Sequence, residues 1–310
     1  MHDLFAAPVP HLLLPRGRRL TLEVPRIMGV VNMTPDSFSD GGRYLAPQAA
    51  IEHALCLKAA GADLIDLGAE STRPGAGVVA AEVQLERLLP VIAALRAQLP
   101  DFPLSIDTSD AAVIRAVLAA GVDLINDTRA LTAPGALEAV AASEAALCLM
   151  HMQGEPATMQ MAPHYDDVIT EVQRFLTGRL LACRMAGIPP ARCLVDPGFG
   201  FGKVREHNLA LLGALPRLAA AVGVPILVGL SRKRLIGELT GREADARIHG
   251  SVAAALLAVE LGARVVRVHD VAATRDALAV WSALQPHRQR GQPPKKQDPL
   301  AAARALFDEG

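Results

Sequence analysis

The sequence has few aromatic residues, with one Trp, two Tyr and seven Phe in 310 positions. So few rings leave little for stacking unpaired bases or for a belt at a membrane interface. Cysteine is also sparse. Cys56, Cys148, Cys183 and Cys193 are scattered with no C-x-x-C pair. This argues against a structural zinc site or disulfide framework and for free thiols in a reducing compartment. Neither charge sign dominates: 31 Lys and Arg stand against 32 Asp and Glu, a net charge of -1. That argues against a broad nucleic-acid-binding surface and against an acidic tail protein. One apolar stretch could suggest a membrane span, Leu209 to Leu230, with Arg217 its one charge. Pro216, Gly223 and Pro225 interrupt it, so it reads as helix, turn and buried strand. The start, Met1-His2-Asp3 with Pro8, Pro10 and Pro15 nearby, reverses the order of a secretory signal. The expectation is a soluble cytoplasmic protein without nucleic-acid or membrane partners.

Apolar residues make up 51% and charged residues 20%, enough for a sizeable core. Length alone suggests two domains at about 150 residues each, but an α/β barrel takes about 250 residues as one domain. Short apolar runs recur as strand candidates: Ile27-Asn32, Leu64-Leu67, Leu104-Asp107, Leu124-Asn126, Ala146-Met150, Cys193-Asp196, Ile226-Leu230 and Val265-His269. Helical spacing lies between them, at Ala50-Ala60, Val83-Leu99, Ala111-Ala119, Leu137-Ala142, Val168-Ala186, Leu209-Val222, Ser251-Leu261 and Ala272-Leu284. Pro90 is expected to kink or delay its helix, and Pro134 to sit in a first turn. Gly61, Gly121, Gly187, Gly223 and Gly262 follow helices, where left-handed caps fall. Eight continuously apolar strands alternating with helices predict a buried parallel sheet. That number closes a (β/α)8 TIM barrel as a single domain. An open doubly wound sheet is the alternative, but no strand ends in the G-x-G-x-x-G turn of a dinucleotide fold. The predicted boundaries are an N-terminal extension over 1–25, the barrel over 26–285 and a flexible tail over 286–310.

Polar residues gather at the C-terminal ends of these strands. They are Asn32, then Asp66 with Glu70-Ser71-Thr72-Arg73, then Asp107, Asn126-Asp127, His151, Asp196, Ser231-Arg232-Lys233, and Arg267-His269-Asp270. In a barrel these ends meet on one face, the face that carries chemistry. Any single member could merely cap a helix, and Asp110 is read that way. His151, between two methionines, is read as a core histidine. Gly198-Phe-Gly-Phe-Gly-Lys203 lacks the spacing of a phosphate loop and is read as a close backbone approach to a ligand. Asn32-Met-Thr34 and Asn126-Asp-Thr128 match the glycosylation sequon by chance.

The segments Met28–Gly42, Asp66-Leu-Gly-Ala-Glu-Ser-Thr-Arg-Pro-Gly75, Ser105-Ile-Asp-Thr-Ser109, Ile125-Asn-Asp127, Met150-His-Met-Gln-Gly154, Asp196-Pro-Gly-Phe-Gly-Phe-Gly-Lys203, Gly229-Leu-Ser-Arg-Lys233 and Val266-Arg-Val-His-Asp270 occur in order, one per strand. This set resembles the dihydropteroate synthase family, pterin-binding TIM barrels. The resemblance implies a transferase of folate synthesis and a sulfonamide target. Its reaction joins 6-hydroxymethyl-7,8-dihydropterin diphosphate to 4-aminobenzoate, releasing pyrophosphate.

The resemblance also implies site residues. Asp107, Asn126, Met150, Asp196, Phe201, Gly229, Lys233 and Arg267 would bind the pterin. Asp196 would take adjacent ring N–H groups as a bidentate acceptor, and Arg267 would stack on the ring. Asn32, Thr72, Arg267 and His269 would hold the diphosphate, and Asn32 would contact a Mg²⁺ cofactor. Phe38, Ser71, Thr72, Arg73, Pro74, Phe201, Ser231 and Lys233 would form the 4-aminobenzoate pocket. An aromatic amine is already neutral at pH 7, so the expected chemistry is SN1-like loss of diphosphate followed by capture of the cation. Two positions depart from the family pattern. Ala69 stands where the family often has a second glycine, and its methyl is expected to stiffen the following loop or to demand φ < 0. Thr128 replaces an aliphatic residue, and its hydroxyl needs a partner if buried. A homodimer through C-terminal helices is also implied, although Val252, Leu256, Val259 and Leu278 could instead face the barrel. Two other readings use the same barrel: a silent paralogue that only binds, and a pterin-dependent methyltransferase.

Overall fold

The computed structural model describes residues 11–33, 45–70, 77 and 79–288. A hairpin comes first, with β1 (His11–Leu13) antiparallel to β2 (Arg19–Thr21). Eight further strands follow: β3 (Arg26–Asn32), β4 (Leu64–Gly68), β5 (Leu104–Asp107), β6 (Leu124–Asp127), β7 (Ala146–Met150), β8 (Cys193–Asp196), β9 (Leu227–Val228) and β10 (Val265–Val268). The helices are α1 (Leu45–Ala59), α2 (Ala81–Gln98), α3 (Ala111–Ala119), α4 (Ala136–Ala141), α5 (Val168–Met185), α6 (Arg205–Gly213), α7 (Leu215–Val222), α8 (Arg234–Thr240), α9 (Ile248–Glu260) and α10 (Val271–Arg288). β3 to β10 form one parallel sheet in the order β8-β7-β6-β5-β4-β3-β10-β9. A parallel bridge between Val195 and Ile226 joins its two ends. The result is the expected single-domain TIM barrel.

Side chains of a strand alternate between faces, and this alternation sorts each strand into two cores. Ile27, Ile65, Ile106, Ile125, Leu147, Val195, Val228 and Val266 join the large cluster under the helices. Met28, Leu64, Leu124, Ala146, Leu194, Leu227 and Val265 join a smaller cluster. Those in the smaller cluster point into the barrel. Continuing each inward series toward the C-terminal end gives Asn32, Asp66, Asp107, Asn126, Met150, Asp196, Gly229, Arg267 and His269. The barrel interior is therefore apolar at one end and ionisable at the other.

The hairpin adds to the apolar end. Leu12, Leu14 and Leu22 are buried in the same small cluster. Arg18 and Arg96 both pair with Asp123, a fully buried carboxylate at the base of β6.

Several local expectations change. Leu209–Val222 is two helices, α6 and α7, with Pro216 in the first turn of α7. α8 has no counterpart among the predicted helices. α2 continues through Pro90, which is exposed, so the carbonyl it leaves unbonded can face water. Pro134 precedes α4, whose N-cap is Gly135. All five glycines expected to cap helices lie at positive φ. Val259 and Leu278 are buried in the barrel core, and Leu256 packs partly against it. Among the described residues, no helix is long and apolar enough to cross a membrane.

Candidate active site

The C-terminal strand ends open into a cleft of about 590 Å³. Asn32, Glu70, Asp107, Phe201, Lys203, Gly229, Ser231, Lys233, Arg267 and His269 are among the residues lining it. Asn126, Met150 and Asp196 are buried on the inward side of their strands. Within the described chain the cleft is lined from the ends of β3, β4, β5, β9 and β10 and from the loop after β8, while Asp66, Asn126, Met150 and Asp196 are not among its lining residues. Phe38, Ser71, Thr72, Arg73 and Pro74 lie outside the described residues.

Arg267 organises one side of the site. Its Nε donates to Asp66 Oδ2 at 2.7 Å and its Nη2 to Asp107 Oδ2 at 3.0 Å. Asp66 is fully buried and also accepts from Ser105 Oγ at 2.5 Å and from Asn126 Nδ2 at 3.2 Å. Two carboxylates and a guanidinium in a fork geometry hold that guanidinium plane rigidly. Burial pushes the Asp107 carboxyl up to about 7 and Asp66 adds to the rise, while Arg267 opposes it. For Arg267 itself burial works against the charge, but Asp66 and Asp107 outweigh it and hold the group firmly protonated.

Lys233 and Asp196 form the other side. An added Cβ on Gly229 would lie 3.8 Å from Lys233 Nζ and 4.0 Å from Asp196 Oδ2, so both groups converge over this glycine. Lys233 Nζ donates to the Phe199 carbonyl at 2.6 Å and sits 4.5 Å from the Phe201 ring centre. Burial lowers its pKa to about 8, against the pull of Asp196. Asp196 is shifted upward by burial, with Lys233 opposing. One Asp196 oxygen accepts from Gly198 N at 2.7 Å. Ser231 Oγ accepts from His269 N at 3.1 Å and lies 3.0 Å from His269 Nδ1.

Other residues are structural. Asp110 accepts from Ala112 N and Val113 N at the start of α3. Asp127 faces away from the barrel interior and accepts from Ser109 and from Arg129 N and Leu131 N. His151 is a core histidine, edge-on to Phe175 and bonded to Lys203 Nζ at 2.9 Å. Ala69 is fully buried and outside the positive-φ residues, so its methyl fits. The Thr128 hydroxyl finds Ser109 Oγ at 3.4 Å. The glycine motif does make a close backbone approach, but within the chain. A Cβ on Gly198 would collide with the His151 carbonyl, and one on Gly202 with that of Gln153.

Asp66, Ser105 and Lys203 contact the site without being among the residues the family resemblance implies. Asp66 and Ser105 carry a usable signal, being polar at inward positions of otherwise apolar strands. Lys203 carries only its place at the end of a glycine motif.

A closed parallel barrel whose inward-facing carboxylates and cations meet at its C-terminal strand ends defines an enzyme of TIM-barrel class. The sequence matches the family described as pterin binding enzyme over residues 28–269. It is 52% identical over 270 residues to a dihydropteroate synthase of Neisseria meningitidis serogroup B, covering 85% of this chain and 94% of that one. The Escherichia coli K12 dihydropteroate synthase is 47% identical over 271 residues, covering 87% and 95%. A solved Xanthomonas albilineans dihydropteroate synthase with 4-aminobenzoic acid superposes at TM-score 0.83 and 57% identity, covering 89% of this chain and 98% of that one. Another from the same organism, in complex with 7,8-dihydropteroate, gives TM-score 0.79 and 51% identity, covering 89% and 99%. The chain belongs to the pterin binding enzyme family, among its dihydropteroate synthases.

Proposed function

We propose that this barrel face performs dihydropteroate synthesis, and we assign its residues as follows. 6-Hydroxymethyl-7,8-dihydropterin diphosphate and 4-aminobenzoate combine to give 7,8-dihydropteroate and pyrophosphate. The observation that carries the residue assignment is the convergence of Asp107, Asn126, Asp196, Lys233 and Arg267 at one end of an otherwise apolar barrel.

Asp196 binds the donor edge of the pterin ring, because its second oxygen remains after Gly198 N takes the first. Asn126 and Asp107 take further ring nitrogens. Met150 and Phe201 provide apolar walls, and Gly229 leaves room for the ring. Lys233 donates to the ring's oxygen and N5 region. Arg267, held flat by Asp66 and Asp107, is the stacking platform. Asn32, Thr72, Arg267 and His269 receive the diphosphate. Ser231, Lys233 and Phe201, with Phe38, Ser71, Thr72, Arg73 and Pro74, receive 4-aminobenzoate.

The bond from the pterin methylene to diphosphate oxygen breaks first, and its electron pair leaves with the diphosphate. Arg267 and His269 stabilise that departing charge, while Asp107 and Asp196 stabilise the pterin cation. The amine nitrogen then bonds to the methylene and loses a proton.

Among the described residues, no cluster of three or more His, Cys, Asp or Glu could hold a metal. Asn32 lines the cleft and would offer one amide oxygen to an ion arriving with the diphosphate, whose phosphate and water oxygens would supply the rest. When bound, Mg²⁺ supplies charge neutralisation to the leaving group.

We assign the catalytic unit to residues 26–285, to which the β1–β2 hairpin adds core residues and which α10 extends to Arg288 rather than ending at 285. We place the protein in the cytoplasm, on the support of its four free cysteines. A homodimer is the proposed assembly; the exposed Leu257, Val280 and Leu284 of α9 and α10 offer apolar surface, and light scattering tests it.

The function is tested by pyrophosphate release from the purified protein with both substrates and Mg²⁺. Release that requires 4-aminobenzoate is expected, and none from folded protein overturns the assignment. Asp196→Asn should weaken pterin binding by about 1–3 kcal/mol, read by calorimetry. Unchanged affinity would move the pterin site elsewhere.

A further inference from the structure

Lys203 is a buried ammonium that the mechanism above does not use. Only 2% of the residue is exposed, and none of its bonded partners is a carboxylate. Nζ donates to Gly198 O at 3.0 Å, to Phe201 O at 3.0 Å and to His151 Nδ1 at 2.9 Å, with His151 O at 3.4 Å. An ammonium has three N–H donors, and three good acceptors surround it. Burying such a group without a counter-charge is costly. Burial drives its pKa down to about 7, with Asp196 pulling the other way. Burial, with Lys203 adding, lowers the His151 ring to about 3. His151 is thus neutral at pH 7, and its Nδ1 can accept.

The cost has a structural return. The loop from Gly198 to Gly202 turns through three glycines at positive φ. That path folds carbonyls inward, away from water, and each needs a donor. Gln160 Nε2 donates to Gly200 O at 2.6 Å, and Tyr165 OH to Gly202 O at 2.9 Å. Gly200 N donates to Asn208 Oδ1 at 2.8 Å. Lys203 serves Gly198 O and Phe201 O. The remaining carbonyl, of Phe199, accepts from Lys233 in the cleft. Two lysines therefore hold one loop, Lys203 through the buried carbonyls and Lys233 through the carbonyl beside the cleft. The Phe199 side chain is buried in the helix-side core, while Phe201 lines the cleft beside Lys233.

We propose that Lys203, with His151 as its acceptor, is a positioning residue. It fixes the loop after β8 so that the Phe199 carbonyl, the Phe201 ring and Gly198 N hold Lys233 and Asp196 for the substrates. The loop then keeps its shape when Lys233 leaves the Phe199 carbonyl for a ligand. This rests on the roles given above to Asp196, Phe201 and Lys233.

The test uses the full chain and four variants, assayed below the melting temperature of each. Lys203→Met and His151→Leu remove the bond. His151→Asn keeps an acceptor near the position of Nδ1. Asp196→Asn checks the site itself. Lys203→Met and His151→Leu should each raise the dihydropterin diphosphate Kd and the 4-aminobenzoate KM about tenfold or more. His151→Asn should stay within about threefold of the parent, a rescue that loss of packing alone does not give. Folded Lys203→Met with parental constants overturns the proposal. So does equal behaviour of the two His151 variants, and that pair decides the matter if Lys203→Met does not fold. Should Asp196→Asn also leave pterin binding unchanged, the site reading fails as well; a change in Asp196→Asn alone confines the failure to Lys203.

Discussion

Asp107 shows how much a single residue owes to its surroundings. In water its carboxyl would be ionised well below neutrality, but burial and the nearby Asp66 carry it to about 7. A raised acid binds its proton more tightly when folded. Its contribution to stability is therefore complete below about pH 4 and is lost as pH rises through about 7. Arg267 opposes the shift, so Arg267→Met should move the Asp107 midpoint higher, as read by ¹³C carboxyl NMR. The same change leaves Asp66 and Asp107 buried without a cation. It should cost about 3–5 kcal/mol, with the loss growing as pH rises and the Asp107 carboxyl ionises. Denaturant titrations at pH 5 and 8 measure this, and a loss independent of pH would contradict it. Much of this site was legible in the sequence, because Asp107, Asn126, Asp196, Lys233 and Arg267 stand at strand ends within long motifs. Asp66 carried no role there, because nothing in its neighbourhood says that a residue 201 positions away donates to it.

At the scale of elements, local chemistry and long-range packing give different degrees of legibility. Strands and glycine caps are local, and the described structure agrees with them closely. The hairpin β1–β2 falls within the expected N-terminal extension, because three-residue strands among prolines carry little periodicity. Its Leu12, Leu14 and Leu22 nonetheless sit in the barrel's small apolar core. Leu12→Ala should cost about 2–5 kcal/mol by urea unfolding and leave KM values unchanged, since this core lies at the end opposite the site. The loop after β8 makes the converse case. Gly198 is at positive φ, and a side chain there meets the His151 carbonyl. Gly198→Ala should therefore destabilise by at least about 2 kcal/mol and weaken binding as well, measured by unfolding and substrate titration.

Over the whole molecule, the barrel is closed unevenly. β3 and β4 pair over five residues, whereas β8 meets β9's side through the Val195–Ile226 bridge. β9 itself has two residues. Local opening follows the weakest hydrogen-bonded seam. Amide exchange should therefore be faster for Val195 and Leu227 than for Ile65 and Leu67, and uniform protection around the ring would contradict this. Near-zero net charge is likewise a whole-molecule property that conceals a local one. Within it, Arg267 is clamped between Asp66 and Asp107 at one barrel end.

The sequence by itself determined the barrel, the end that bears the chemistry and most of the groups gathered there. Those depend on alternation along strands, helix-ending glycines and motif order, all properties of neighbouring residues. Tertiary structure decided what those groups do to one another. The Asp66 clamp on Arg267, the Asp107 shift, the hairpin in the apolar end and the Lys203 support of the glycine loop are contacts between distant segments. Their energies come from burial and geometry, which exist only once the ring has closed.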